Sequence, residues 1–465
     1  MWSVVEAAEA VRSGRLKATE VLDECLARIE SSNPELNAFV HLDPEGARRA
    51  AEAVDAAVAS GRDPGPLAGV PFGVKDLEDC AGMPTSHGSL LYKGRGPVAA
   101  DSVHVARLRA AGAVPVGKTA APEFGAVAFT STPAWGTTRN PWDTAVTPGG
   151  SSGGSAAAVS SGMVPFCTAS DGGGSTRIPA AFTGLVGFKA GFGRIPHPGF
   201  GGMSETTVLG ALTTTVADAA RHLDVAAGPH DADRASLPAS GFGYEAAIAA
   251  LDVSGLRAVW SPDLGFALVD PEVGAICEEA AAALVSAAGL RPVERRIDLT
   301  DPVRVWLSSG AADVWVSLEP GMWPERADEF DRPVRRTLEQ TEAYPVSRFA
   351  RAHRRRTRLD AEWAEVFADV DVVITPTTAV PAFDAAGRMP RSIGGVDVDP
   401  VMAVPFTMVA NLCWNPAVSL PAGLTSGGLP VGLQVIARRH HDHVALRLAR
   451  IFEEARPWPR LAPGW

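Results

Sequence analysis

Three features of this 465-residue sequence predict an α/β fold. Short apolar runs such as GVPFGVK and MVPFCTAS alternate with helical patterns between residues 67 and 196, which is typical of helices packed on a largely buried sheet. The 47 glycines and 37 prolines exceed average usage of about 7% and about 5% and indicate many turns. Apolar residues make up 46% and charged residues 20%, as in globular proteins. Length alone corresponds to about three domains.

The first sixty residues are expected to be mainly helical. Ser3 and Glu6 form a capping-box pattern, and Gly14 stands where that helix would end. A second helix is expected from Thr19, followed by a short strand over 37–42 and a third helix over 46–59.

Further elements are expected along the rest of the chain. The segments with helical patterns are 103–111, 155–162, 270–290, 325–368 and 443–454. Strands are expected at the start of 369–383 and over 431–438. Residues 225–243 are loop-like but too short and mixed to be a domain linker.

Charge and cysteine usage exclude several classes of protein. The net charge is −11 with no block of Lys or Arg, which argues against nucleic acid or an anionic membrane as the main partner. The five cysteines are scattered, without CxxC spacing, and are expected to be buried free thiols in a reducing compartment. We expect no signal peptide, and no stretch reaches about 18 uninterrupted apolar residues. A cytoplasmic enzyme is therefore expected.

Two motif matches carry little weight. Residues 112–119, GAVPVGKT, match the phosphate-loop pattern, but a helical pattern precedes them and Pro115 removes one backbone N–H. We interpret this segment as the end of a helix, a glycine turn and a strand. Residues 149–153, GGSSG, match the nucleophile elbow of α/β-hydrolases. No later histidine stands in a distinctive setting, so an α/β-hydrolase-type esterase is kept as a distant alternative.

Two Gly/Ser-rich loops and one lysine form the main candidate site. The loops contain Ser151 and Ser175, and each leads into a segment of helical character. Glycines beside a serine at a helix start let backbone N–H groups converge on an anion. Upstream, Lys75 ends an apolar run, and a lysine acts as a base only if burial lowers its pKa from about 10.4 toward neutrality.

The motifs GVPFGVKDLED, NPWD, GGSSGGSAAAV and SDGGGSTRIPAAFTGLVGFK, in this order, resemble the amidase signature family. The similarity is strong over 67–196, weak in the N-terminal helices, and returns at ITPTTAVPAF and ANLCWNPAVSLPAGLTSGGLPVGLQVIAR. It implies one α/β/α domain with a central mixed, mostly parallel twisted sheet, in place of three domains. Within that domain we expect an N-terminal helical region (1–66), a signature core (67–225) and a remainder with helical substrate-funnel segments (226–465).

The resemblance also implies roles for individual residues. It assigns Lys75 as the base, Ser151 as a bridging serine after a cis peptide bond, and Ser175 as the nucleophile that forms an acyl-enzyme. It implies an oxyanion hole formed by Gly172, Gly173, Gly174 and Ser175. It also implies supporting roles for Ser152, Asp171 and Arg177. The family chemistry requires no metal and no organic cofactor.

Departures from the family pattern concern the loop and the substrate. Ser170, Gly172 and Thr176 stand where threonine, a larger residue and isoleucine are typical, and TSTPAW lacks an asparagine often found there. Tryptophans 135, 306, 315, 323 and 414 fall in segments that the family places around the substrate, although core packing is the alternative for each. The candidate substrate-binding residues are Thr130, Trp135 and Trp414.

These observations predict an amidohydrolase that acts on an apolar or aryl amide, with esters or carbamates as possible side substrates. The alternatives are the glutaminase subunit of a tRNA-dependent amidotransferase, which shares the triad, and a binding scaffold with an inactive site. We expect a small-molecule amide as the partner, no nucleic acid or membrane partner, and a monomer or homodimer.

Overall fold

The computed structural model describes residues 1–199 and 204–465. The α-helices in these residues are α1 (Val4–Arg12), α2 (Ala18–Leu36), α3 (Pro44–Ala59), α4 (Val103–Ala110), α5 (Gly153–Ser160), α6 (Arg177–Thr183), α7 (Val216–Ala226), α8 (Tyr244–Ala250), α9 (Pro271–Ala287), α10 (Pro302–Ser309), α11 (Asp313–Val316), α12 (Arg332–Thr341), α13 (Val346–Asp369), α14 (Met408–Leu412) and α15 (Asp442–Ala455).

The strands within the same residues are β1 (Phe39–Leu42), β2 (Pro71–Lys75), β3 (Val114–Thr119), β4 (Ser131–Thr132), β5 (Gly136–Thr137), β6 (Phe166–Asp171), β7 (Val186–Lys189), β8 (Val208–Thr213), β9 (Arg257–Trp260), β10 (Arg291–Pro292), β11 (Val372–Pro376), β12 (Ser392–Ile393), β13 (Val396–Asp397), β14 (Ala417–Leu424) and β15 (Pro430–Ala437).

One large mixed sheet runs through the molecule in the order β1-β3-β2-β6-β8-β7-β14-β15-β11-β9-β10. Helices cover both faces, which confirms the expected single α/β/α domain. The expectation of a mostly parallel sheet is wrong. Only β2–β3, β2–β6, β9–β11 and β9–β10 are parallel among the paired strands of the described residues. The central pairs from β6 to β11 are antiparallel. For β14 and β15 the short connection between the two strands permits only that geometry.

Side-chain alternation along the strands divides the core between the two faces of the sheet. On β11, Val372 and Ile374 pack in one apolar cluster with α7, α9 and α15. Val373 points to the opposite face and packs in a second cluster with α13 and α14. A strand buried on both faces needs apolar residues that point to each face, which explains the unbroken run VVI over 372–374.

Several local predictions are confirmed. Ser3 and Glu6 form the capping box of α1, and α2 begins within one residue of Thr19. Residues 103–119 form a helix, a turn and strand β3. This is the arrangement that we expected for GAVPVGKT in place of a phosphate loop. The five cysteines are buried and free.

The expected single helix over 325–368 is wrong, because the segment contains two helices, α12 and α13. Pro333 lies in the first turn of α12, and Pro345 precedes α13. Proline lacks a backbone N–H and clashes with the preceding helical turn, so it starts a helix but does not continue one. No helix in the described part of the chain is long and apolar enough to cross a membrane.

The sheet brings the ends of two signature segments together. Strands β2 and β6 are parallel neighbours, with Phe72 opposite Phe166 and Gly73 opposite Cys167. Lys75 is the last residue of β2 and Asp171 is the last residue of β6. Because carboxyl ends of parallel strands meet at one edge of a sheet, both side chains lie at the same edge.

Replacement of Gly154 by alanine tests the packing of α5, the helix that follows the first serine loop. A Cβ atom at Gly154 would lie 2.6 Å from the Ala120 carbonyl oxygen and 2.7 Å from that of Ala38. We expect Gly154→Ala to lower the free energy of unfolding by about 1–3 kcal/mol, as overpacking against backbone does. Urea unfolding measures the change. Gly96→Ala, where no atom lies within 4 Å, is the control and should unfold like the wild type; equal losses in both variants would contradict the packing.

Candidate active site

Three serine hydroxyls surround the amine of Lys75. Its Nζ lies 2.8 Å from the Oγ atoms of Ser151, Ser152 and Ser170. The Ser152 hydroxyl also donates to the Ser170 carbonyl at 3.4 Å, so it accepts a hydrogen from the lysine. A neutral amine has two N–H donors and one lone pair, and three hydroxyls satisfy all of them when one hydroxyl donates.

Burial sets the charge of Lys75. The side chain is fully buried, and its Nζ contacts hydroxyl and carbonyl oxygens but no carboxylate among the described residues. Desolvation lowers its pKa to about 7, although the negative charges of Asp171 and Glu78 act in the opposite direction. A large fraction of Lys75 is therefore uncharged at neutral pH, as a general base requires.

The two serine loops are in direct contact. The Gly150–Ser151 peptide bond is cis, as the resemblance implies, and the Ser152 N–H donates to the Ser175 carbonyl at 3.2 Å. Ser151 is buried and Ser175 is partly exposed. The Ser175 hydroxyl has no hydrogen-bond partner among residues 1–199 and 204–465, so the link between the hydroxyls of Ser151 and Ser175 is not formed here. Hydrogen bonds between nucleophile and base often tighten only in the complex with substrate.

A buried ion pair fixes the loop that carries Ser175. The Asp171 carboxylate accepts hydrogen bonds from Arg177 Nε at 2.9 Å and Nη2 at 2.8 Å, and both side chains are fully buried. Burial alone would raise the pKa of Asp171, but the Arg177 guanidinium holds it well below its usual range. Asn411 and Gln434, far away in the sequence, contact Arg177 at 2.6 Å each. The supporting roles of Asp171 and Arg177 in the reaction stay a prediction.

The backbone of residues 172–175 offers fewer free donors than expected. The Gly174 N–H donates to Asp171 Oδ1 at 2.7 Å, so it is not free for an oxyanion. This differs from the expectation for Gly174, because the carboxylate of Asp171 turns back onto its own loop. The N–H groups of Gly172, Gly173 and Ser175 have no acceptor in the described part of the chain and stay available.

Side chains from distant segments orient these peptide groups. Trp306 Nε1 donates to the Gly172 carbonyl at 2.7 Å, and Thr407 Oγ1 donates to the Gly173 carbonyl at 2.6 Å. A Cβ atom at Gly173 would lie 2.7 Å from the Trp306 ring. Since the N–H of a trans peptide points away from its C=O, the Trp306 contact turns the Gly173 N–H away from the indole.

The three candidate substrate-binding residues make structural contacts. Thr130 is buried and donates to the Gly149 carbonyl at 2.9 Å, so it supports the loop before Ser151. Trp135 Nε1 donates to Ser86 Oγ at 2.7 Å. Trp414 Nε1 donates to the Glu205 carbonyl, and its ring stacks on Phe192. None of these contacts involves Lys75, Ser151 or Ser175.

Sequence reasoning missed four residues that touch the site. In the sequence Ser170 stands out only as a departure from the family pattern, yet it binds Lys75. Thr407, Asn411 and Gln434 hold the loop through the contacts above. The sequence signal for Ser170 is its place directly before Asp171 in a strand that ends at the nucleophile loop. The other three lie in segments that resemble the family but carry no local pattern of a site.

A metal site is not formed in the described residues, which contain no group of three or more His, Cys, Asp or Glu side chains able to hold an ion.

Comparisons with known proteins agree on one family. The profile of the Amidase family matches residues 20–446. An acylamidase of Rhodococcus erythropolis is 36% identical, and the alignment covers 99% of this chain and 97% of that protein. A glutamyl-tRNA(Gln) amidotransferase subunit of Chloroflexus aggregans is 34% identical, covering 99% and 98%. The crystal structure of a bacterial aryl acylamidase superimposes with a TM-score of 0.91 at 29% identity, covering 98% of this chain and 96% of that one.

Removal of one charge from the Asp171–Arg177 pair tests its structural role. In Asp171→Asn the guanidinium of Arg177 stays buried without its counter-ion, so we expect a loss of about 3–5 kcal/mol in the free energy of unfolding. Chemical denaturation measures it. Asp298→Asn, which breaks an exposed pair with Arg296, is the matched control and should change stability little. A small effect in Asp171→Asn would show that the buried pair does not stabilise the loop.

Proposed function

This chain belongs to the amidase signature family of amide-hydrolysing enzymes, and we propose that it cleaves apolar or aryl acyl amides through an acyl-enzyme on Ser175. The observation that carries the proposal is the buried amine of Lys75 within 2.8 Å of Ser151, on a loop that contacts the loop of Ser175. Acylamidase relatives that match nearly the whole chain support the substrate class.

The proposed chemistry begins with proton transfer along the two serines. Neutral Lys75 takes the proton of Ser151 while Ser151 takes the proton of Ser175. The Oγ atom of Ser175 then forms a bond to the carbonyl carbon of the amide. The hydrogen bond from Ser152 to the Ser170 carbonyl favours this direction, because it leaves Ser151 free to donate to the lone pair of Lys75.

The oxyanion and the leaving group use different parts of the site. The negative oxygen accepts hydrogen bonds from the N–H groups of Gly172, Gly173 and Ser175, each of which typically contributes a factor of about 10²–10³ in rate. Lys75 returns its proton through Ser151 to the amide nitrogen, and the C–N bond breaks to release an amine. Water then attacks the acyl-enzyme by the same relay and releases a carboxylic acid.

Apolar side chains near the reacting groups favour an aryl or alkyl substrate. The Trp306 ring packs against Gly173 in the loop before Ser175. A Cβ atom at Gly125 would lie 3.0 Å from Leu77 Cδ1 and 3.1 Å from Ser151 Oγ, so Leu77 and the loop of Phe124 flank Ser151. Such surroundings suit a substrate without charged groups next to the amide.

A glutaminase subunit of a tRNA-dependent amidotransferase is the second candidate. Glutamyl-tRNA(Gln) amidotransferase subunits are among the relatives, at 34–36% identity over nearly the whole chain. Glutamine carries an ammonium and a carboxylate, and these need charged or strongly polar partners in a binding pocket. The apolar contacts around Ser151 and Gly173 therefore favour the acylamidase, acting without a partner protein.

A substrate panel tests the proposal. The purified chain is assayed with an anilide, an aliphatic primary amide, an ester, a carbamate and glutamine, and Ser175→Ala is the control. We expect anilide hydrolysis that Ser175→Ala abolishes, and a fluorophosphonate should label Ser175 in peptide mapping. Ammonia release from glutamine that requires an added partner protein, without anilide hydrolysis, would establish the second candidate instead.

The rate of hydrolysis is expected to follow the charge of Lys75. Only the neutral amine accepts a proton, and the pKa of this group is lowered to about 7 by burial. The kcat/KM for an anilide should therefore rise with pH through about 7 and fall roughly tenfold per unit well below it. Initial rates between pH 5 and 9 measure the profile. A kcat/KM that decreases from pH 6 to 8 would contradict a neutral lysine base.

Removal of Lys75 is expected to affect amides more than esters. An amine leaving group must be protonated as the C–N bond breaks, whereas an alkoxide or phenoxide leaves more readily. In Lys75→Ala we expect kcat/KM for an anilide to fall at least tenfold further than kcat/KM for the ester with the same acyl group. Equal losses for the matched pair would show that Lys75 does not supply that proton.

A further inference from the structure

Helix α13, at the surface of the molecule, carries arginines along one side of its first half. They follow one another at steps of three and four residues, and they are Arg348, Arg351, Arg355 and Arg358. Residues three and four positions apart lie on the same side of an α-helix. All four residues are exposed, so they form a continuous positive stripe.

The same stripe continues with acidic residues on the second half of the helix. Glu362, Glu365 and Asp369 follow Arg358 at the same steps of three and four residues. Arg358 Nε donates to Glu362 at 2.9 Å within the helix, and Asp369 forms an ion pair with Arg295. Glu365 is exposed and forms no ion pair with any described residue. One side of α13 is therefore positive at its start and negative at its end.

This order of charges is unfavourable within a single helix. Arg351 lies three positions after Arg348 and four before Arg355, and like charges at these distances repel each other. The helix dipole favours acidic residues at the start of a helix and basic residues at its end, which is the opposite of the order in α13. Arg351, Arg354 and Arg355 are exposed and form no ion pair with any described carboxylate. Their charge is thus uncompensated in a chain whose net charge is −11.

The outermost side of α13 leaves room for a second helix beside this stripe. The exposed residues there are Ala350, Thr357, Ala361, Ala364 and Ala368. They lie across the helix from its buried residues and follow a heptad spacing, which keeps them on the side that faces a partner helix. Because the distance between packed helices depends on the side chains at the contact, these small residues permit a close approach.

We propose that α13 is a self-association surface that binds α13 of a second copy of this chain in antiparallel orientation. This orientation places the positive half of each helix beside the negative half of the other. Arg351 of each chain then faces the partner's Glu365, and the twofold symmetry forms this pair twice. At the centre, Arg358 of one chain meets the same residue of the other, and each keeps Glu362 of its own helix as an acidic neighbour.

Charge complementarity favours a second copy of the chain over other anionic partners. A polyanion would match the arginine half of the stripe, but the acidic half would repel it. A second copy complements both halves with the same helix, and it brings together no surface that the stripe does not already contain. The proposal does not depend on the proposed function.

The size of the contact predicts how strong the dimer is. Helix α13 has 24 residues and is therefore about 36 Å long. One helix from each chain makes a small interface of the transient class. We expect a dimer that dissociates on dilution and at high salt, since exposed charges are screened there.

Exchange of two charges tests the pairing. Arg351→Glu and Glu365→Arg each place like charges opposite each other in the dimer, and the double variant restores opposite charges with their positions exchanged. Sedimentation equilibrium at about 0.1 M and about 1 M NaCl measures the dissociation constant. At low salt we expect each single variant to dimerise at least about tenfold more weakly than the wild type, and the double variant to recover most of the loss. Arg49→Glu, an exposed arginine on α3, is the control and should dimerise like the wild type.

A disulfide cross-link tests the orientation of the two helices. In the antiparallel register Ala350 faces the partner's Ala368. A mixture of Ala350→Cys and Ala368→Cys chains, oxidised with oxidised glutathione, should give a linked dimer that contains one chain of each kind. Either variant alone should give none, because the five native cysteines are buried. Cross-linking of Ala350→Cys with itself would indicate parallel helices and would contradict the proposal.

Three results in solution would overturn the proposal. The first is a wild type that stays monomeric at low salt up to about 0.5 mM. The second is a dimer that becomes stronger at about 1 M NaCl, because screening weakens a contact between charges. The third is a double variant that dimerises no better than the single variants, since repulsion at one position is then not relieved by the other. Circular dichroism checks that every variant is folded.

Discussion

The burial of one amine without a carboxylate beside it is the constraint on which the site depends. Lys75 is enclosed by three hydroxyls and a carbonyl, and such partners satisfy a neutral amine better than they compensate an ammonium in a dry interior. The position follows from the sheet, because Lys75 ends one strand and Asp171 ends its parallel neighbour. The same edge of the sheet thus holds the base and the loop with the predicted nucleophile.

The carboxylates near this edge have partners other than Lys75. Asp171 is bound by Arg177, and Glu78 Oε1 lies 3.0 Å from His104 Nδ1, and neither carboxylate forms a direct ion pair with Lys75. Arg177 also contacts Asn411 and Gln434, which ties the loop of Ser175 to the C-terminal third of the chain. An unpaired buried charge is costly, and these contacts hold the loop while the N–H groups of Gly172, Gly173 and Ser175 have no acceptor in the described part of the chain.

Sequence reasoning is most successful where motifs are local. The capping box at Ser3, the helix–turn–strand over 103–119 and the cis bond before Ser151 are set by residues close together in the chain. Sequence reasoning fails where contacts between distant segments of the chain determine the structure. Antiparallel strands dominate the centre of the sheet because strands far apart in the chain pair there, and apolar runs do not reveal which strands pair or in which direction. Pro345 divides a segment whose helical periodicity suggests one helix. The motif predicts that the Gly174 N–H faces an oxyanion, although Asp171 accepts it.

The sequence by itself determined the family, the α/β class and the identity of Lys75, Ser151 and Ser175 as the candidate residues, because these depend on residue types in short motifs with a fixed order. The tertiary structure alone decided the partners of those residues. Ser170 contacts Lys75, and Trp306 and Thr407 contact the glycine loop, although the partners in each contact come from segments far apart in the chain. Whether an amine is charged depends on desolvation and on the field of such neighbours, and both exist only once the chain has folded.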